Sequence, residues 1–92
     1  MTQEQIRERV WAYLVENFLY MRPNLKVDPD DSLLRAGVID SLGVMEIIGM
    51  IEEMAGIKVS EEEITEANFG TLNAIARYVA AKSQGVQDHS AR

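Results

Sequence analysis

The middle of the chain reads Gly37-Val38-Ile39-Asp40-Ser41-Leu42 and continues as Gly43-Val44-Met45-Glu46-Ile47. From Ser41 onward, apolar residues recur at three- and four-residue intervals, which is the period of an amphipathic helix. Asp40 and Ser41 are both suitable N-caps, and Gly56 readily adopts the left-handed conformation that ends many helices. We therefore predict a helix over 41–55 whose N-cap is Asp40 or Ser41.

Another helix and then a long loop are predicted before this stretch. Thr2 and Gln5 have the spacing of a capping box, and apolar residues at four-residue spacing follow them. Pro23 disfavours a helix that continues past the residues just before it. From there to Asp40 the chain is rich in Pro, Gly and Asp, which predicts a loop with a single turn over 32–36.

Two further helices are predicted after the central one. Ser60 and Glu63 form a second capping box, which indicates a short helix over 61–67. Thr71 is a suitable N-cap for a last helix, whose apolar residues again have helical spacing. The sequence contains no strand alternation, internal repeat or sustained heptad. We therefore predict an all-α fold, a small four-helix bundle with three main helices and one short helix.

The charge of the chain restricts the class of its partners. Its 92 residues include 15 Asp plus Glu against 9 Lys plus Arg, a formal net charge of −6. Such a chain is repelled by nucleic acid, because binding there depends on cations that displace counterions from phosphates. We expect proteins with basic surfaces as partners, no binding to nucleic acid, and a chain that acts as a monomer.

The sequence carries no signal for a membrane. Its N-terminus lacks the basic segment and apolar run of a signal peptide. No apolar stretch approaches the roughly 18 residues that a membrane-spanning helix needs. We therefore expect no membrane association and a cytoplasmic location.

Cysteine is absent, so the chain has neither a thiol nucleophile of its own nor Cys ligands for a metal. The single histidine, His89, lies in the polar, aperiodic segment 84–92, which we expect to be a disordered tail. We place the folded domain at 1–83. We expect no metal site and no catalysis that depends on His89.

The helix predicted over 41–55 has two different faces. Its buried face should comprise Val44, Ile47, Ile48, Ile51, Met54 and Ala55. Its opposite face carries Leu42, Met45, Glu46, Gly49, Glu52 and Glu53. This second face is either an ordinary solvated surface or a docking surface, with apolar contacts and with carboxylates that attract a basic partner.

Gly43 and Gly49 also need an explanation, because a glycine inside a helix costs about 0.5–1 kcal/mol relative to alanine. Close approach of a neighbour is one explanation. At Gly49 the neighbour could be a partner molecule, or the glycine could simply be tolerated at the surface.

Ser41 has two interpretations as well. A serine at the start of a helix most often caps that helix. The free backbone N–H groups and the positive end of the helix dipole, however, also favour a phosphate at the same place. On these grounds alone, the capping role is the more common one.

The stretch around Ser41 resembles the G-x-x-D-S-L-x-x-x-E-[LI] attachment motif of the acyl and peptidyl carrier protein family. The resemblance also covers the loop segment 27–33 and the segment 68–72. It thus extends over nearly all of the chain up to about Lys82. Length, acidity and helix order agree with it.

This resemblance implies that Ser41 receives 4′-phosphopantetheine from coenzyme A, in a reaction of a separate phosphopantetheinyl transferase with magnesium. It implies that Asp40 assists recognition by that transferase. The thiol of the arm would then carry an acyl or aminoacyl group as a thioester, and the carrier itself would not be an enzyme. The residues implied to face partner enzymes are Leu42, Met45, Glu46, Glu52 and Glu53. Those partners would be adenylating, acyl-transferring and condensing enzymes with basic docking patches.

Two departures from the family pattern are informative. Carriers of primary fatty-acid synthesis usually have one residue between the glycine and Asp-Ser-Leu, whereas this chain has Val38 and Ile39. Two residues are common in D-alanyl carriers, peptidyl carriers and stand-alone carriers, so we expect a specialised biosynthetic pathway. Relatives also tend to have a bulky apolar residue where this chain has Gly49, which affects the middle of the docking face.

Other functions remain open at this point. A carrier-like adaptor would stay unmodified and would bind partners through its acidic helix. A serine hydrolase would need a base beside Ser41, and His89 is a poor candidate. The cargo, and whether the bundle encloses it, depend on the packing of Ile48, Ile51, Met54, Phe69 and Ile75.

Overall fold

The computed structural model describes residues 1–22 and 24–90, with the backbone alone described for 84–90. The first helix, α1 (Gln3–Leu14), continues directly as a π-helical segment, Val15–Leu19. The helices that follow are α2 (Ser41–Ala55), α3 (Glu66–Phe69) and α4 (Leu72–Ser90). No strand occurs among the described residues. The predicted all-α bundle with three main helices and one short helix is confirmed.

The predicted capping box begins α1. The Thr2 hydroxyl accepts a hydrogen bond from the Gln5 N–H at 3.1 Å, and the Gln5 side-chain oxygen accepts one from the Thr2 N–H at 2.9 Å. A buried stripe follows, made of Ile6, Val10 and Leu14. The π-helical segment was not predicted, because the four-residue apolar spacing continues through it. The helical segment ends at Leu19, so it does not continue past Arg22, as predicted from Pro23.

The bounds predicted for α2 are confirmed at both ends. The N-cap is Asp40, and the C-cap Gly56 has φ 66° and ψ 34°, the left-handed conformation that glycine adopts at little cost. Ile47, Ile48 and Ile51 are buried against the other helices. Val44, Met54 and Ala55 border the core and are half-buried.

The loop before α2 is fastened to the segment between α3 and α4. The predicted turn over 32–36 is present, since the Ala36 N–H donates to the Ser32 carbonyl at 2.9 Å. Leu33 is fully buried, and its N–H donates to the Gly70 carbonyl at 2.9 Å. The long loop is therefore held in place by both backbone and core contacts.

One predicted helix is wrong in its extent. The capping box of Ser60 and Glu63 forms, but it begins only a 3-10 turn, Glu61–Glu63, and not a helix over 61–67. Ile64 leaves the helical conformation, and Thr65 then caps a separate helix by accepting a hydrogen bond from the Asn68 N–H at 3.2 Å. The competing cap at Thr65 divides the segment in two.

The last helix packs against α1 and α3. Thr71 caps its start as predicted, accepting a hydrogen bond from the Ala74 N–H at 3.0 Å. Ile75, Ala76 and Val79 complete the core.

The backbone of α4 runs past residue 83, the expected domain boundary. The side chain of His89 and residues 91–92 lie outside what the structure describes, and the division of the chain at residue 83 stays a prediction.

Across the described ranges, no helix combines the length and the apolar character needed to cross a membrane.

Candidate functional site

At the start of α2, Asp40 caps the helix and Ser41 is left exposed. The Asp40 carboxylate accepts a hydrogen bond from the Gly43 N–H at 2.8 Å, and its backbone is extended, as an N-cap requires. Ser41 is the first residue of the helix and is exposed. Since Asp40 provides the cap, the hydroxyl of Ser41 is not needed for that purpose.

The residues just before Asp40 are firmly anchored. Gly37 has φ 75°, a conformation that favours glycine, and lets the chain turn into the site. Val38 and Ile39 are both buried, and the Val38 N–H donates to the Leu33 carbonyl at 3.0 Å. The pair between Gly37 and Asp40 is therefore part of the core, and it holds the start of α2 in position.

Gly43, in the first turn of α2, lies against the π-helical segment that follows α1. A Cβ atom at Gly43 would stand 2.9 Å from Cβ of Ile39 and 3.2 Å from Cε1 of Phe18. The interpretation that a neighbour approaches closely is thus correct for Gly43. Gly49 is different, since a Cβ there would have no atom within 4 Å.

Most of the predicted docking residues lie on the exposed side of α2. Leu42 is 76% exposed and Met45 is 53% exposed, large values for apolar side chains. Glu46, Gly49 and Glu53 are exposed beside them. We call these five residues, Leu42, Met45, Glu46, Gly49 and Glu53, the α2 face.

Glu52 is placed differently from the other predicted docking residues. It is half-buried, and its carboxylate accepts a hydrogen bond from the Val59 N–H at 2.9 Å. The side chain therefore fastens the segment after α2 to the helix. Its role in docking stays a prediction.

The electrostatics of α2 favour an anion at one end and a cationic partner along the side. The helix contains three carboxylates and no Lys or Arg. Its N-terminus nevertheless presents backbone N–H groups and the positive end of the helix dipole beside Ser41. A phosphodiester on the Ser41 oxygen would be stabilised there, so the residues present fit phosphopantetheine.

A small pocket opens close to Ser41. It measures about 230 Å³ and lies between α2, the preceding loop and the α3 region. Val44, one helical turn after Ser41, forms part of its wall. The remaining lining residues are Leu34, Ile64, Thr65, Glu66 and Phe69.

In the described part of the chain, no group of three or more His, Cys, Asp or Glu side chains could hold a metal ion.

Sequence reasoning missed two residues after α1 that support the site, Phe18 in the π-helical segment and Arg22 beyond it. Phe18 packs against Gly43, and the Arg22 guanidinium donates a hydrogen bond to the Gly37 carbonyl. The sequence offers a signal only for the first contact, because a glycine inside a helix often marks a close neighbour. The contact of Arg22 joins residues 15 apart and has no local pattern.

Comparison with known proteins gives relatives of one kind. Over 46 residues the chain is 44% identical to a D-alanyl carrier protein of Streptococcus equi subsp. zooepidemicus (strain MGCS10565), covering 50% of this chain and 58% of the relative. Over 50 residues it is 40% identical to a D-alanyl carrier protein of Streptococcus uberis (strain ATCC BAA-854 / 0140J), covering 54% of this chain and 63% of the relative. The aligned part of the chain thus spans about three-fifths of these relatives.

The family comparison covers most of the chain. The model described as phosphopantetheine attachment site matches residues 14–79, which include Ser41 and the whole of α2. The match agrees with an exposed serine at a helix start, with a separate residue as its cap. The chain therefore belongs to the family of carrier proteins that hold phosphopantetheine as their cofactor and have no catalytic activity of their own.

Proposed function

We propose that Ser41 is the residue that receives phosphopantetheine, and that the chain carries an aminoacyl group as a thioester on this arm. The observation that carries the proposal is the exposed first residue of α2, whose hydroxyl is not needed as a helix cap because Asp40 caps the helix. This serine lies within the matched residues 14–79.

The modification follows ordinary phosphoryl-transfer chemistry. The Ser41 oxygen attacks the phosphorus of coenzyme A that bears the pantetheine, and the hydroxyl proton is lost. The bond to the adenosine bisphosphate half of coenzyme A breaks, and that half leaves. A negative phosphodiester remains at the N-terminus of α2, where the helix dipole stabilises it. The arm then brings the thiol that a chain without cysteine lacks.

The cargo is best explained as a short aminoacyl group. The relatives named above are D-alanyl carriers. This chain has two residues, Val38 and Ile39, between Gly37 and Asp40, a spacing that the family resemblance connects with such carriers. Ile48, Ile51, Phe69 and Ile75 are all buried in one packed core. The pocket beside Ser41 has only about 230 Å³, below the size of ordinary ligand pockets. These features support a small cargo that stays outside the bundle, in a specialised pathway.

The partners of such a carrier are the transferase and a loading enzyme that activates the amino acid. The α2 face supports a transient interface with each of them. Leu42 and Met45 offer apolar contact, while Glu46 and Glu53 attract basic patches. Asp40 would help to place Ser41 for the transferase, since it fixes the first turn of α2.

The test is direct modification. The protein is incubated with coenzyme A, magnesium and a broad-specificity phosphopantetheinyl transferase, and its intact mass is measured. We expect the wild type to gain one phosphopantetheine and Ser41→Ala to gain none. Ser60→Ala, a matched change of another exposed serine before a helical turn, should be modified like the wild type.

A second stage tests the cargo. The modified protein is incubated with a D-alanine-activating ligase, ATP and labelled D-alanine, and a thioester that hydroxylamine cleaves is expected. A wild type that gains no mass would overturn the assignment of Ser41. If that protein still bound partners, and Ser41→Ala bound them equally, it would be an unmodified adaptor.

A further inference from the structure

Two of the most exposed apolar side chains in the described residues do not belong to α2. Tyr20 is 67% exposed and Met21 is 76% exposed. They directly follow the π-helical segment Val15–Leu19 at the end of α1. We call them the α1-end patch. Both side chains lie outside the hydrophobic core, so packing of the core does not explain why large apolar residues stand at these positions.

Contacts on either side of the α1-end patch join this part of the chain to Gly37 and Gly43, which flank Ser41. Phe18, two residues before Tyr20, packs against Gly43. Arg22, one residue after Met21, donates a hydrogen bond to the Gly37 carbonyl. Each patch residue is thus within about 7 Å of chain from Phe18 or Arg22, the two residues that contact the segment 37–43. The two contacts fall on either side of Ser41 in the sequence.

The π-helical segment explains how this placement arises. A π turn adds a residue to the helical repeat, so it rotates the side chains that follow relative to those of a continuous α-helix. In this chain the rotation comes after Leu14, the last residue of the buried stripe of α1. Phe18 then meets Gly43, which has no Cβ to obstruct it. Tyr20 and Met21 remain free at the surface.

We propose that the α1-end patch is a contact surface for the phosphopantetheinyl transferase that modifies Ser41. This inference rests on the proposed function. The transferase must bring coenzyme A to the Ser41 oxygen itself. An ordinary interface buries about 800 Å² on each partner, which corresponds to a disc of roughly 16 Å radius. A disc of that size centred on Ser41 reaches about ten residues along α2. It also reaches Gly37 and Gly43, where Arg22 and Phe18 make their contacts, and the α1-end patch lies between Phe18 and Arg22 in the chain.

The same geometry separates the transferase from the loading enzyme. A loading enzyme reacts with the thiol at the far end of the arm, so its active site does not have to reach Ser41. The active site of the transferase, in contrast, must reach the Ser41 oxygen itself. The α1-end patch should therefore matter for modification and much less for loading.

The chemistry of the patch suits this role. Tyrosine and methionine are enriched in the buried centres of protein interfaces. The carboxylates of the α2 face attract a basic partner from a distance, but they add little short-range contact area. Tyr20 and Met21 would provide that area on the other side of the serine.

The experiment compares two double variants in the modification reaction. Tyr20→Ser with Met21→Ser removes the apolar area, and Tyr20→Phe with Met21→Leu keeps it. We expect the first variant to lower kcat/KM for the carrier roughly fivefold or more, mainly through a higher KM. The second variant should stay within about twofold of the wild type. Both positions are exposed, so both variants should unfold at the wild-type denaturant midpoint.

Loading provides the second readout. Each variant is converted completely to its modified form with excess transferase and then loaded with D-alanine by the ligase. We expect loading rates within about twofold of the wild type. Modification of the Tyr20→Ser, Met21→Ser variant at the wild-type rate would overturn the proposal, as would an equal loss in loading. If the wild type itself gains no phosphopantetheine, it is the proposed function that fails.

Discussion

At the scale of single residues, Gly43 and Gly49 show two uses of glycine in one helix. Gly43 is buried between Ile39 and Phe18, and a Cβ would overlap both neighbours. Gly49 is exposed and has open space where a Cβ would stand. Only Gly43 is needed for the fold, because only there does a neighbour occupy the space.

Alanine at these two positions should have opposite effects on stability. Gly43→Ala must displace Ile39 or Phe18, and overpacking of this kind costs about 1–3 kcal/mol, which exceeds the gain in helix propensity. Gly49→Ala gains about 0.5–1 kcal/mol, because alanine favours the helix and meets no neighbour. Urea unfolding followed by circular dichroism measures both free energies of unfolding.

The two variants serve as controls for each other, since each adds the same methyl group to α2. A stabilised Gly43→Ala would mean that the contact between α1 and α2 is looser than the structure shows. A destabilised Gly49→Ala would mean that the surface there is covered in solution.

At the scale of elements, α2 combines a packed side with a charged one. Its buried isoleucines hold it in the bundle, while Glu46 and Glu53 project from the α2 face. The helix has no cation that would neutralise them. Such a surface increases the rate of encounter with a basic partner, and dissolved salt screens the effect.

Removal of these two charges should slow modification in a salt-dependent way. Glu46→Gln with Glu53→Gln is expected to lower kcat/KM of the transferase reaction by roughly three- to tenfold at low ionic strength. The difference from the wild type should shrink as salt is raised toward about 1 M, where the screening length is only about 3 Å. Initial rates over a series of salt concentrations give the measurement.

A matched pair at the start of α1 tests whether position matters. Glu4→Gln with Glu8→Gln removes the same charge from exposed sites, about 15–21 Å along the helix axis from Phe18. This pair should leave the rate near that of the wild type. Equal losses in the two pairs would show that net charge, and not the α2 face, attracts the partner.

At the scale of the whole molecule, one ion pair joins the segment after α2 to the last helix. Lys82 Nζ lies 2.7 Å from Glu63 Oε1 and 2.8 Å from Oε2. The hydrogen bonds from Lys82 lower the pKa of Glu63 from its ordinary 4.5 to about 2, and the Ser60 N–H contributes as well. The neighbouring Tyr78 responds in the opposite sense, since burial, together with the charge of Glu63, raises its pKa to about 12.

The low pKa of Glu63 predicts how stability depends on pH. A carboxyl whose pKa is lower in the folded state adds stability that is complete above the unfolded value of 4.5 and is lost as pH falls toward 2. Glu63→Gln keeps an acceptor for the capping box and removes the charge. We expect this variant to be less stable than the wild type at neutral pH, with a difference that disappears between pH 4.5 and 2.

Unfolding curves at several pH values measure this difference. Glu61→Gln, an exposed neighbour in the same 3-10 turn, should follow the wild-type pH profile. If Glu63→Gln instead differed from the wild type by a constant amount down to pH 2, the ion pair would not be the cause.

Local signals were enough to predict much of this fold. The bounds of α2, its Gly56 cap and the boxes that begin at Thr2 and Ser60 all follow from residues within four positions of each other. The candidate serine was found in the same way, because its motif is contiguous. The family match over residues 14–79 agrees with that interpretation.

What the tertiary structure decided involves contacts between distant residues. The half-buried position of Glu52 and the different surroundings of the two glycines have no local pattern. The choice of Asp40 over Ser41 as the cap rests on a local bond from the Gly43 N–H, although both residues are suitable caps by type. The division of the segment at Ile64 follows from a second cap at Thr65. That cap is a local signal, but the helix predicted over 61–67 did not take it into account.

The motif therefore determined which serine is the candidate, and the packing of the bundle determined what surrounds it. Capping and helical period act over a few residues, so they can be read along the chain. The approach of Phe18 and Arg22 to residues 37–43 depends on how the chain after α1 lies against the start of α2. That geometry exists only after the core has formed, which is why no local pattern in the sequence indicates that Tyr20 and Met21 lie between two contacts with the segment around Ser41.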